Sequence, residues 1–284
     1  MTPVLEAEGL RVSVPDRRHS NLFGRARQLE IVHGIDLSIA AGEVIGLVGE
    51  SGSGKTTLGR ALIRLVKPSG GKLRFEGNEI ATMSEFDLWP LRSQMQMIFQ
   101  DPYSSLNPRI SVGSTLMRSF FVYGRTSSAA ARKERTLELL DLVGLSPEIF
   151  SRFPHQLSGG QRQRIGIARA LALKPKFVVA DEIVSGLDVS TQAQILTLLR
   201  DLREKLNLTL VFISHDLSVI RVLCDRVVVL QQGNMVESGP CDRVFAAPAA
   251  PYTRALIDAI PLPDVDLHWL DEEPPDEPSL RMTG

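Results

Sequence analysis

Nine consecutive residues, Gly49-Glu50-Ser51-Gly52-Ser53-Gly54-Lys55-Thr56-Thr57, set two glycines five positions apart ahead of a lysine and a threonine. This is the pattern of a phosphate-gripping loop. Glycines let backbone N–H groups converge on one point, and a helix starting there adds the positive end of its dipole, so a polyphosphate such as that of ATP meets donors already aimed. Lys55 would bridge the terminal phosphates and the Thr56 hydroxyl would ligate Mg2+. Asp181 and Glu182 follow the apolar run Phe177-Val178-Val179-Ala180. Acids at a strand end are commonly solvated caps, but beside Lys55 they have work: Asp181 to hold the metal through its water shell, Glu182 to orient and deprotonate a water, a contribution of ~10²–10⁴-fold. His215, just past Ile213-Ser214, is placed to donate to the γ-phosphate or steady the water. His19, His33, His155 and His268 have no such neighbours and are assigned no chemistry. Ser158-Gly159-Gly160-Gln161 opens a second helix with anion-binding character. One nucleotide needs one cradle, so this second one is expected to serve a nucleotide held by another copy.

Positioning these residues takes a parallel sheet. Val44-Ile45-Gly46-Leu47-Val48, opened by Gly42, reads as a buried strand ahead of the loop, and Leu58, Ala61, Leu62, Leu65 and Val66 recur at helical spacing after it. The runs 177–180, 208–213 and 227–230 are compact, apolar and separated by helical stretches, the pattern of a doubly wound α/β core. Alternation over 4–14 and 31–39 predicts an antiparallel layer, the first segment as an edge strand or hairpin arm. Residues 72–76 with the Gly77-Asn78 turn suggest a short hairpin arm. From Ser84 to about Leu173 the pattern is mostly helical, clearest over 129–143, and reads as a helical insert. Residues 15–28 carry Arg17, Arg18, Arg25 and Arg27 and read as a solvated basic loop, with a membrane-proximal or nucleotide contact as the alternative. A helix-sized segment spans 251–260, and the Pro-, Asp- and Glu-rich 261–284 is expected to be disordered.

Composition narrows the function. The chain has 284 residues, 43% of them apolar, enough for one large domain or a domain with a smaller attachment. Thirty-two basic against thirty-three acidic residues leave a net charge of -1, with no global field to recruit nucleic acid or an anionic membrane. Cys224 and Cys241 lack the paired spacing of a metal or redox site. No apolar run approaches the ~20 residues that cross a bilayer, and the first residues lack a signal peptide's apolar segment, so a soluble chain is expected.

In order, the phosphate loop 49–57, the Leu157-Ser158-Gly159-Gly160-Gln161 stretch, the acids Asp181 and Glu182, and His215 resemble the motifs of the ATP-binding subunits of ABC transporters. The resemblance implies a P-loop NTPase cassette over 4–260 with a mostly parallel core, an antiparallel β layer and a helical subdomain near 101–173. By the same carry-over, Gln100 contacts metal and water and links the site to membrane subunits, and Ser185-Gly186-Leu187-Asp188 lies across a dimer interface. Phe99 to Arg109 together with Pro251-Tyr252-Thr253-Arg254-Ala255-Leu256 look like the bacterial oligopeptide, dipeptide and nickel importers, which implies a C-terminal extension near 240–262 ahead of the acidic tail 263–284. Leu22-Phe23-Gly24-Arg25 is similar to the second of their two ATPases, and two isolated cysteines imply no iron–sulfur centre. Implied partners are a second ATPase subunit, identical or paralogous, two transmembrane permeases and an extracytoplasmic solute-binding protein, with the chain peripheral on the cytoplasmic face of the bacterial inner membrane. Three departures stand out: Val14 where the family stacks an aromatic on adenine, with Phe23 as a candidate substitute; Ile183 where proline is common; and Gly186 where alanine is common. Peptide is the expected cargo, with nickel, glutathione or an opine-like solute as alternatives. A soluble ABC ATPase of nucleic-acid upkeep or translation, or a simple P-loop kinase or GTPase, fits less well, since no basic face is apparent and residues 157–161 would lack a purpose.

Overall fold

A computed structural model of the chain describes residues 3–15, 28–101, 106–124 and 128–259. Most of the basic loop, with Phe23 and His19, and all of the C-terminal tail 261–284, with His268, lie outside the described residues.

Two sheets form the frame. Strands β1 (Leu5–Pro15), β2 (Gln28–Ile39), β4 (Gly70–Phe75) and β5 (Asn78–Glu79) make an antiparallel sheet in the order β2-β1-β4-β5. Thus β1 is interior, not an edge strand: both its sides are paired, through Leu5 with Ile39 and with Phe75. The larger sheet combines β3 (Val44–Val48), β6 (Met95–Ile98), β7 (Phe177–Asp181), β8 (Thr209–Ile213), β9 (Arg226–Gln231) and β10 (Asn234–Pro240) in the order β10-β9-β3-β8-β7-β6. All pairings are parallel except that of β10 with β9.

Every residue of β3, β7 and β8 is buried, as expected of strands covered on both faces. Their residues alternate between two cores. Val44, Val48, Val178, Ala180, Leu210 and Phe212 join one cluster, whereas Ile45, Leu47, Phe177, Val179, Val211 and Ile213 join the other. The second face is covered by helix α1 (Lys55–Leu62) and the antiparallel sheet, the first by α5 (Gly159–Leu171), α6 (Val189–Leu206) and α7 (Leu217–Leu223). The remaining α-helices among the described residues are α2 (Glu85–Arg92), α3 (Val112–Val122), α4 (Ala129–Leu142), α8 (Cys241–Ala246) and α9 (Pro251–Asp258). No helix among the described residues is long and apolar enough to cross a membrane.

Two expectations need correction. The helical reading of 84–173 missed β6, a mostly buried strand at the edge of the larger sheet beside β7. Helix α1 stops at Leu62, a turn before Leu65 and Val66, because Arg64 takes a left-handed φ of 57° and its buried guanidinium donates to the Ile80 and Met83 carbonyls at 2.7 and 2.8 Å.

Candidate active site

Because β3, β7 and β8 are parallel, their C-terminal ends share one edge, where ligands of open sheets collect. From β3 the chain turns into the loop at Gly49, whose φ is 144°. A side chain there would place a Cβ 2.1 Å from the Leu230 carbonyl oxygen, so only glycine fits. Ser53 N donates to the Glu50 carbonyl at 3.1 Å, and Gly233 N donates to the Ser53 carbonyl at 2.9 Å, closing the loop. Gly54, left-handed at φ 102°, caps α1, whose first N–H groups lack intrahelical acceptors.

Lys55 is buried, and its ammonium donates to the Gly49 and Glu50 carbonyls at 2.7 and 2.9 Å. Burial pushes its pKa down, and the charges of Glu182 and Asp181 oppose that shift. The Thr56 hydroxyl donates to Asp181 Oδ1 at 2.9 Å. Asp181 is almost fully enclosed; burial pushes its pKa up, against the Thr56 hydrogen bond and the Arg60 charge. A carboxylate disfavoured by desolvation beside a hydroxyl is an oxygen-donor pair suited to a hard divalent cation, whose charge would offset the burial.

Glu182 has a left-handed φ of 46°, strained for a non-glycine residue, and its N–H is tied to the Ile213 carbonyl at 3.0 Å. Its Oε2 accepts from Gln100 Nε2 at 2.9 Å and lies 3.8 Å from His215 Nδ1. The His215 side chain is 62% exposed. Ser214 Oγ accepts from Asp216 N at 2.9 Å and Asp216 caps α7, fixing the turn that presents the imidazole. Gln100, Asp181, Glu182, His215, Lys55 and Thr56 therefore form one cluster, able to hold a phosphate, a cation and a water beside a carboxylate.

Ser158 and Gln161 form a separate structure. Ser158 Oγ accepts from Gln161 N at 3.2 Å while Ser158 N donates to Gln161 Oε1 at 3.1 Å, a capping box that starts α5 at Gly159. Arg162, buried beneath, donates to the Leu157 and Pro154 carbonyls and pins the approach to this tip. A Cβ on Gly160 would come 2.7 Å from Thr191 Cγ2, so glycine allows close packing against α6. Neither Ser158 nor Gln161 hydrogen-bonds to Lys55, Asp181 or Glu182. Between the acids and α6, Ser185 N donates to the Glu182 carbonyl at 3.1 Å and Gly186 takes a φ of 76°. Ile183 is buried in the core, and Val14 pairs with Leu29.

Two partners of the loop were not read from the sequence: Gly233, through Ser53, and Tyr252, whose hydroxyl accepts from Glu50 N at 3.1 Å. Gln232-Gly233 signals a turn after an apolar run, but nothing local says what the turn touches.

A family model described as "ABC transporter" matches residues 32–185, and another, "Oligopeptide/dipeptide transporter, C-terminal region", matches 236–283. The "Putative peptide import ATP-binding protein" of Brucella ovis is 49% identical over 265 residues, covering 93% of this chain and 81% of that protein. The "Glutathione import ATP-binding protein GsiA" of Salmonella typhimurium is 48% identical over 267 residues, covering 94% of this chain and 42% of that one. Among solved structures, the ATP-binding cassette MJ0796, dimeric and bound to ADP and Pi, aligns with a TM-score of 0.73 at 27% identity, covering 84% of this chain and 98% of that one. CbiO1 of Clostridium perfringens, part of the ABC transporter complex cbiONQ, aligns at 0.73 and 28%, covering 87% and 92%. With the loop of residues 49–57 and the acids at the end of β7 inside a family match that spans more than half its length, the chain belongs to the ABC transporter family, among its ATP-binding proteins.

Proposed function

We propose that the chain is the ATP-hydrolysing subunit of a peptide importer. The observation that carries this reading is the convergence of Lys55, the Thr56–Asp181 pair and the Gln100–Glu182–His215 cluster on one sheet edge. In this reading residues 49–57 cradle the phosphates of ATP, and Lys55 moves its ammonium from the loop carbonyls to the terminal phosphates. Thr56, Asp181 and Gln100 hold Mg2+, which supplies charge neutralisation on the phosphates. Glu182 accepts a proton from the attacking water while Gln100 and His215 hold the water in line. Ser158, Gly159, Gly160 and Gln161 present a donor-rich helix tip to the γ-phosphate bound by a second ATPase subunit, identical or paralogous. Intact ATP then bridges two subunits, and hydrolysis removes the bridge.

Closure of that dimer would drive two permease subunits, fed by a solute-binding protein, with the chain peripheral on the cytoplasmic membrane face. The cassette is assigned to 4–260, its helical part to 101–173 and the importer-type extension to 240–262. The C-terminal match supports peptides as cargo, and the similarity to a glutathione import protein favours glutathione, itself a tripeptide, as the second reading. Uptake of labelled di-, tri- and oligopeptides and glutathione, in cells lacking the gene and cells complemented with wild type or Lys55→Ala, tests it. Uptake of at least one of these is restored by wild type alone; cells whose uptake of all of them is unchanged by the deletion would refute it.

A further inference from the structure

The Tyr252 hydroxyl reaches across 202 positions of sequence to the phosphate loop, accepting from Glu50 N at 3.1 Å. That N–H belongs to the same peptide unit as the Gly49 carbonyl, which accepts from Lys55 Nζ at 2.7 Å. No peptide bond among the described residues is cis. The carbonyl and the N–H therefore point in opposite directions from one rigid plane. Tyr252 and Lys55 grip the two ends of a single peptide.

Tyr252 is itself well placed. It sits in the first turn of α9, and the Glu237 carboxylate on β10 accepts from Ala249 N at 2.8 Å and Ala250 N at 3.0 Å just ahead of that helix. Arg254 donates to the Pro248 carbonyl at 3.2 Å. Tyr252, Leu256 and Ile257 pack against the core cluster that contains Val48, the residue before the loop. A ring fixed by such packing holds its oxygen with little freedom left to lose.

We propose that Tyr252 is a positioning residue: it fixes the orientation of the Gly49–Glu50 peptide, and with it the resting place of the Lys55 ammonium, so that helix α9 tunes the loop's affinity for a triphosphate. This rests on the reading of residues 49–57 as the ATP site. Without the phenol oxygen, the Glu50 N–H turns to water and the peptide can rotate. The Gly49 carbonyl then swings from Lys55 toward the space the phosphates need, where two oxygen-rich groups repel.

The test uses the full chain, with Tyr252→Phe removing only the oxygen and Glu237→Ala loosening the helix anchor. Dissociation constants for Mg-ATP and for a non-hydrolysable analogue are measured by calorimetry, hydrogen exchange is followed at the Glu50 amide, and KM and kcat are compared. Tyr252→Phe raises Kd and KM about three- to tenfold, the range one neutral hydrogen bond supplies, with kcat within about twofold and faster Glu50 exchange. Glu237→Ala moves the same quantities the same way by less, and decides the matter if Tyr252→Phe does not fold. A wild-type chain that binds no Mg-ATP overturns both this proposal and the ATP reading. Wild-type binding with unchanged Kd and Glu50 exchange in the variants, or a fall in kcat at constant KM, overturns this proposal alone.

Discussion

Replacing Glu182 by glutamine isolates the proton-accepting step. The amide keeps an oxygen that can still accept from Gln100 Nε2, now at 2.9 Å, and keeps the side chain's volume, so the cluster stays assembled. It loses the basic carboxylate 3.8 Å from His215 Nδ1. Lys55 and the Thr56–Asp181 pair are untouched, so the groups assigned to the phosphates and the metal remain. General-base removal costs about 10²–10⁴ in rate, which is roughly 2.7–5.4 kcal/mol of barrier at 1.36 kcal/mol per decade. Phosphate release at saturating Mg-ATP is therefore expected to fall at least about 100-fold. Calorimetric Kd for ATP is expected to hold within about threefold, because only the base is removed. A kcat within about threefold of wild type would refute the role given to Glu182.

Gly49→Ala forces a Cβ to within 2.1 Å of the Leu230 carbonyl and 2.8 Å of Ser53 Oγ, at a φ of 144°. Overpacking and backbone strain together cost roughly 2–6 kcal/mol. At about 2–4 °C per kcal/mol, scanning calorimetry should register a Tm lower by about 4 °C or more, with ATP binding lost; an unchanged Tm contradicts the geometry. Asp188 caps α6 by accepting from Thr191 N and from the Ser190 and Thr191 hydroxyls, and those hydrogen bonds hold its pKa well below the usual carboxylate range. A depressed folded-state pKa gives stability that is present above the unfolded value and lost as pH falls through the folded one. Asp188→Asn should therefore narrow the drop in Tm on acidification below about pH 4, and parallel Tm–pH curves for wild type and variant would count against the cap.

Much of this architecture was legible because the chemistry is local. The phosphate loop needs glycines where φ is positive, and β3, β7 and β8, covered on both faces, are apolar but for Gly46 and the end residues Asp181 and Thr209. The capping box at Ser158 and Gln161 lies within four residues. What stayed hidden depends on contacts distant in sequence. Strand β6 is Met-Gln-Met-Ile, four residues with one β-branched side chain, and only its pairing with β7 makes it a strand. Helix α1 ends early because Arg64 is drawn to the Ile80 and Met83 carbonyls, which overrides the spacing of Leu65 and Val66. Helix α8 is only six residues long, too short for a helical period to stand out, and the Tyr252 contact spans 202 positions.

In the proposed cycle one triphosphate is gripped by the lysine loop of one subunit and the Ser158–Gln161 helix tip of another. Sedimentation velocity of the Glu182→Gln chain, alone and mixed with the second ATP-binding subunit of its transporter, tests it in Mg-ATP and in Mg-ADP. A species of doubled mass is expected in ATP only, abolished by Ser158→Arg, which crowds the helix tip. Identical profiles in the two nucleotides, or an ATP-dependent pair indifferent to Ser158→Arg, would contradict it.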